Sequence, residues 1–155
     1  MKPGHFSVTV LLATLILAGC GSSPPDKAPG CSDGQVQELV LQVANEELRN
    51  GLLFNAILTE LGTTPQVQGN PTYAQWDRRR EESEEIARLL DLVDSQVEEL
   101  SFRLDGIRTN SRDDGIRKTA CGATLTSDAG MTHDIEYTAQ YTEDGRVYVQ
   151  VFGLD

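Results

Sequence analysis

Few side chains in this sequence stand at spacings that support chemistry. It has two histidines. His5 lies next to an N-terminal apolar run, so His133 is the one imidazole of the remaining chain. A zinc site at His133 would need Asp or Glu for its other ligands, an uncommon set. Asp134 and Glu136 alternate onto the strand face opposite His133, which predicts no metal site and a solvent-facing histidine. A Ser-His-Asp triad has one possible base and no Gly-x-Ser-x-Gly elbow. Asp113-Asp114-Gly115 and Glu143-Asp144-Gly145 lack the alternating acidic ligands of a calcium loop and read as turns. Among 24 acidic residues no carboxylate pair is singled out for glycosidase chemistry. No glycine-rich loop cradles a phosphate, and no Cys-x-x-Cys marks a redox centre. Arg78-Arg79-Arg80 resembles an anion patch, but Glu81, Glu82, Glu84 and Glu85 follow it. The block reads instead as a solvated helix end with i, i+4 pairs Arg78–Glu82 and Arg80–Glu84. These readings predict a protein that is not an enzyme and holds no cofactor.

The elements that carry these residues begin with an N-terminal export pattern. Met1 to His5 forms a short n-region with Lys2. Phe6 to Ala18 is apolar apart from Ser7, Thr9 and Thr14, about the length of a signal h-region and too short to span a bilayer. The run ends in Leu17-Ala18-Gly19-Cys20, which resembles the lipobox of bacterial lipoproteins. That resemblance implies removal of residues 1–19 and acylation of Cys20. Two or three chains at about 0.8 kcal/mol per buried CH₂ hold such a protein firmly in a membrane. Gly21 and Ser22 lack the aspartate that usually retains such proteins in the inner membrane. The resemblance therefore implies the outer membrane, with the domain facing the periplasm. Residues 21–30 contain three prolines, two glycines and two serines and read as part of a flexible tether, 20–30, with nothing able to pack. One domain, 31–155, follows.

Acylation of Cys20 consumes the odd cysteine. Cys31 and Cys121 remain, an even pair in an oxidising compartment, and the expectation is a disulfide between them. Its closed loop of about 90 residues corresponds to roughly 4.5 kcal/mol in the chain-entropy account. The sequence carries 13 basic and 24 acidic side chains, and Lys2 is the one charged residue of the signal. A surface that acidic repels nucleic acid and anionic headgroups, and favours solubility and cationic partners.

Periodicity then separates helices from strands. Ser32 or Asp33 can cap a helix whose stripe is Val36, Leu39, Val40 and Val43. Asn50-Gly51 ends or kinks it, and Leu52 to Leu61 forms a second, more apolar helix closed by Gly62. Thr63 to Pro71 is a loop. Thr72 to about Glu99 is the longest helical signal, with Ile86, Leu89, Leu90, Val93, Val97 and Leu100 on one stripe. From Leu100 the period becomes two. Leu100, Phe102 and Leu104 alternate until Gly106 shifts the phase before Ile107, as a bulge does. Asn110 to Gly115 is a turn. Lys118–Ser127, His133–Thr142 and Arg146–Leu154 are three more strands joined by short turns. Helices followed by an antiparallel meander make an α+β fold, with two or three N-terminal helices on a four-stranded sheet.

Cys31 near a helix start, Asp105-Gly106-Ile107-Arg108-Thr109, Cys121-Gly122-Ala123, Ile135-Glu136-Tyr137-Thr138 and Val147-Tyr148-Val149 resemble a group of small exported bacterial lipoproteins. Those end in a meander similar to cystatin-like or NTF2-like folds. The likeness covers residues 31–62 and 100–155 and implies fold and compartment, with no activity to carry over. Phe102, Tyr137, Tyr141, Tyr148 and Phe152 concentrate in the meander. If the sheet is curved and one face lies open, Tyr148 and Phe152 line a concave protein-binding surface. The expected function is a non-enzymatic envelope lipoprotein that binds a protein or envelope component. Its alternative is an inhibitor or immunity lipoprotein against a cationic lytic enzyme or toxin.

Overall fold

The computed structural model describes residues 26–63 and 72–154. Cys20 and its lipobox lie outside the described residues. The order of elements is α1 (Gly34–Glu60), α2 (Tyr73–Asp77), a 3₁₀ turn (Arg80–Glu82), α3 (Glu84–Glu98), β1 (Phe102–Asp113), β2 (Lys118–Ser127), β3 (Thr132–Tyr141) and β4 (Val147–Phe152). The strands pair antiparallel in the order β1-β2-β3-β4. This is the expected α+β arrangement, with helices preceding a four-stranded meander.

Two helix boundaries differ from the periodicity reading. The break at Asn50-Gly51 does not form, and α1 runs unbroken for 27 residues, about 40 Å. Its N-terminal half buries Val36, Val40 and Ala44 against the inner face of the sheet, where Cys121, Ala123, Ile135, Tyr137 and Ala139 meet them. Its C-terminal half buries Leu53, Ala56 and Ile57 against Leu89, Leu90, Val93, Val97 and Trp76. Nine residues, or two and a half turns, separate Ala44 from Leu53, so the apolar stripe crosses to the other side of the helix. That phase change imitates a break in the sequence pattern. An internal glycine costs only about 1 kcal/mol, less than burying the leucine and isoleucine beyond it contributes. Asn50 does not cap a helix end, because its Oδ1 accepts the Tyr73 amide at 2.9 Å. Gly62 does terminate α1, at φ +61°.

The second difference is at Ser83. It splits the expected Thr72–Glu99 helix by adopting an extended backbone and capping α3 through its hydroxyl. Thr72 caps α2 in a reciprocal capping box with Gln75. α3 packs antiparallel to the C-terminal half of α1, since Arg49 meets Asp94 while Glu60 meets Arg88.

In the sheet, Gly106 at φ +58° lies in a bulge between Asp105 and Arg108. The bulge moves the inward set from Phe102 and Leu104 to Ile107, as its spacing predicts. β1 then continues through a second irregularity between Thr109 and Ser111 as far as Asp113. The expected turn at Asn110–Gly115 therefore shrinks to residues 114–117, because residues 111–113 still pair with 118–120.

Cys31 and Cys121 lie at disulfide distance, with Sγ atoms 2.03 Å apart. The end of the expected tether also packs. Pro29 is fully buried, and its carbonyl accepts from Thr119 Oγ1 at 2.7 Å. The Ala28 amide donates to Asp114 Oδ1 at 2.9 Å, and its carbonyl accepts from Arg112 at 2.7 Å. Composition marks residues 28–30 as linker. The neighbouring cysteine anchor brings them onto the inner face beyond the start of α1, where those partners satisfy their backbone.

Candidate binding surface

α1 packs on the inner face of the sheet and α3 packs on α1, so the other face carries no packed helix among the described residues. Strand alternation places Tyr148, Gln150 and Phe152 of β4 on that outer face, while Val147, Val149 and Val151 turn inward. Tyr148 and Phe152 are each 51% exposed. They are four residues apart along one strand, about 13 Å. Tyr148 and Phe152, the two aromatics singled out in the sequence, are thus both solvent-facing and on one face.

Register carries a polar row toward Phe152. Arg108 pairs with Gly122, Gly122 with Glu136 and Glu136 with Phe152. The Arg108 guanidinium lies across Gly122, where a Cβ would stand 2.7 Å from its central carbon. The missing side chain at Gly122 lets the cation lie over β2, with an acid and then an aromatic ring on the strands beyond. This juxtaposition suits a partner that offers apolar side chains beside mixed charge. It comprises no nucleophile with an adjacent base.

Where the middle of α1 leaves the sheet, a cleft of about 480 Å³ opens. Leu48, Leu52, Phe102, Leu125, Met131 and Leu154 form its apolar wall, with Glu47, Asn55 and His133 among its polar groups. His133 is exposed, as expected, and shares a hydrogen bond with the Gly153 carbonyl. Asp134 and Glu136 do lie on the opposite face, where Asp134 Oδ1 accepts from Thr124 Oγ1 at 2.8 Å. The sequence reading does not foresee this cleft. Its signal was the paired small residues Ala44 and Gly51, which hold the helix surface back where the stripe changes side.

The acidic turns are structural. Asp113 Oδ1 accepts the Gly115 amide at 2.9 Å. Asp114 pairs with Arg112 and with the Ala28 amide, and these two hydrogen bonds hold its carboxyl below the ordinary value. Asp144 bonds Thr142 and Arg146 within its own turn. Among the described residues no group of three metal-ligating side chains assembles.

The arginine block behaves differently from its expected i, i+4 pairing. Arg79 pairs with Glu82, while Arg80 reaches Asp77 at 3.0 Å, Asp91 at 2.5 Å and Asp94 at 2.7 Å. The break at Ser83 turns Arg80 back along α3, so Arg80 pairs with Asp91 and Asp94 in place of Glu84, and Glu82 pairs with Arg79 in place of Arg78. Arg80 also donates to Tyr73 Oη at 2.9 Å, and Tyr73 donates to Asp94 at 2.6 Å. Arg49 stands over the Tyr73 ring at 5.6 Å. Burial, then the bond to Asp94, push the Tyr73 phenol up to about 12. Burial would raise Asp94, but the bonds from Tyr73 and Arg80 and the charges of Arg80 and Arg49 outweigh it and hold the carboxyl low. This network ties α2 and the 3₁₀ turn to α1 and α3. Trp76, which the sequence reading leaves aside, is buried beneath it.

No protein-family model, curated protein or solved structure matches this chain.

Proposed function

We propose that the chain is a lipid-anchored envelope module, without catalytic activity, that binds a protein or envelope component through the outer face of its sheet. The observation that carries this reading is the outer face, uncovered among the described residues, that bears Tyr148 and Phe152, each half exposed, beside the Arg108–Glu136 row. Exposed tyrosine and phenylalanine on a fixed strand lose little entropy on binding and bury a large area. The lipobox resemblance at Cys20 supplies the anchor. With Ala28 and Pro29 docked on the domain, the stretch from Cys20 to Lys27 spans at most about 28 Å even fully extended. That reach favours partners at or near the periplasmic leaflet of the outer membrane.

The test is retention of a stoichiometric envelope complex by the full lipidated chain through mild detergent extraction. Tyr148→Ala with Phe152→Ala is expected to weaken that complex at least tenfold, since exposed aromatic anchors commonly contribute about 1–2 kcal/mol or more each. Undiminished retention by the double variant would contradict the reading. A second reading rests on the excess of 24 acidic over 13 basic side chains, which suits an inhibitor of a cationic lytic enzyme or toxin. It predicts binding to a basic hydrolase that weakens steeply with salt, whereas the first predicts a complex that survives moderate salt.

A further inference from the structure

We infer that β4 is a homotypic edge, and that a second copy of this chain pairs with it antiparallel about a twofold axis at Gln150. Three features of β4 lead there. First, its outer edge has no strand partner among the described residues, since β4 pairs with β3 alone. The Thr142 amide donates to the Arg146 carbonyl, so by antiparallel alternation the even-numbered residues of β4 bond to β3. The N–H and C=O groups of Val147, Val149 and Val151 then point out of the sheet. Second, β4 lacks the usual protection of an edge. The opposite edge, β1, is interrupted by two irregularities, whereas β4 pairs in continuous register from Val147 to Phe152 and contains neither proline nor charge.

Third, the strand is complementary to itself. Pairing about Gln150 sets Tyr148 opposite Phe152 of the second copy, and Phe152 opposite its Tyr148, both on the outer face. Directly opposed side chains lie about 5 Å apart, close enough for two aromatic cross-strand pairs. Val149 of each copy lies opposite Val151 of the other, and each such pair exchanges backbone hydrogen bonds. On the inner side a cleft of about 700 Å³ between α1 and the end of β4, lined by Val43, Val151 and Leu154 among others, leaves room for the incoming valines. Shifting the centre to Val149 would instead oppose Tyr148 to Gln150 and Phe152 to Arg146, losing both aromatic pairs. The result is one eight-stranded sheet whose outer face joins the two aromatic strips. The inference rests on the same outer face as the proposed function, but concerns association between copies.

The test is cross-linking in the full chain, expressed with its own signal in an oxidising envelope. Opposed residues of a non-hydrogen-bonded pair bring Cα atoms to about 4.5 Å, within disulfide range. Gln150→Cys is expected to give a reductant-sensitive dimer at least tenfold more abundant than Arg103→Cys, an outer-face control on β1. Tyr148→Cys alone is expected to give none, and to cross-link when co-expressed with Phe152→Cys. Adding Val149→Pro, which removes an outward N–H and leaves the bonds to β3 intact, is expected to abolish the Gln150→Cys dimer. A Gln150→Cys yield no higher than the control overturns the inference. So does a disulfide that joins the Gln150→Cys variant to a different protein, which would make the edge a site for a foreign strand. Loss of cross-linking with the envelope complex retained refutes the pairing alone. Adding Tyr148→Ala and Phe152→Ala to Gln150→Cys is expected to lower the dimer yield, and an undiminished yield overturns the inference, since the Tyr148–Phe152 pairs set the register.

Discussion

Removing the link between Cys31 and Cys121 is the perturbation whose magnitude follows most directly from the structure. The two residues are 90 positions apart, and the loop they close contains α1, α2, α3 and β1. In the chain-entropy account a loop of that length restricts the unfolded ensemble by about 4.6 kcal/mol at 25 °C. Both residues are buried, at 4% and 1% exposure, so Cys31→Ala with Cys121→Ala also removes packed sulfur and the 3.3 Å hydrogen bond from Thr109 Oγ1. The expected loss is therefore about 3–5 kcal/mol, a large part of a small domain's stability. Urea titration of the chain from Asp26 onward, followed by far-ultraviolet circular dichroism, measures it. Because the link acts mainly on the unfolded chain, the slope of free energy against urea is also expected to steepen as that chain expands. A loss below about 1 kcal/mol would refute the entropic reasoning, since even a loop of about 15 residues is assigned about 3 kcal/mol.

Two further outcomes follow from the polar contacts. Tyr73 is held protonated up to about 12 against an ordinary 10.0. Its contribution is complete below pH 10 and is lost as pH rises from there toward 12, because the unfolded phenol ionises first. Tyr73→Phe is expected to flatten this alkaline fall in midpoint urea concentration; an unchanged fall would show that Tyr73 does not cause it. Asp114 clasps the Ala28 amide at 2.9 Å just beyond Lys27. Asp114→Asn weakens the clasp on both Ala28 and Arg112, and is expected to speed tryptic cleavage after Lys27 several-fold with little change in global stability. An unchanged cleavage rate would mean that Pro29 and the cysteine link hold the segment without it.

How much of the molecule is legible in the sequence depends on the range of the interactions involved. The four strands and the bulge at Gly106 follow from local alternation, though the length of β1 beyond Thr109 does not, and the link between Cys31 and Cys121 is expected once the lipobox resemblance assigns Cys20 to lipid. The outward placement of Tyr148 and Phe152 follows from the same alternation, because a strand next to a covered face has only one other face to offer. The continuity of α1 does not follow. Its stripe changes side between Ala44 and Leu53, and a helix that serves two cores imitates two helices. The Arg80 network is hidden for a related reason. Asp91 and Asp94 lie on a separate helix, and Ser83 must first break the backbone before Arg80 can turn toward them.

The sequence alone determines the elements whose causes lie within a few residues of themselves: the α+β order and the inward and outward sets along each strand. Tertiary structure decides what depends on contacts between distant segments. It docks Ala28 and Pro29 on the sheet, because a buried cysteine draws its neighbours in and Thr119, Arg112 and Asp114 wait for their backbone. Among the described residues it also leaves the outer face and the β4 edge open, because the N-terminal half of α1 packs on the inner face and its C-terminal half on α3. Burial of apolar area is non-directional, and only the assembled layers settle which surfaces it uses and which remain for a partner.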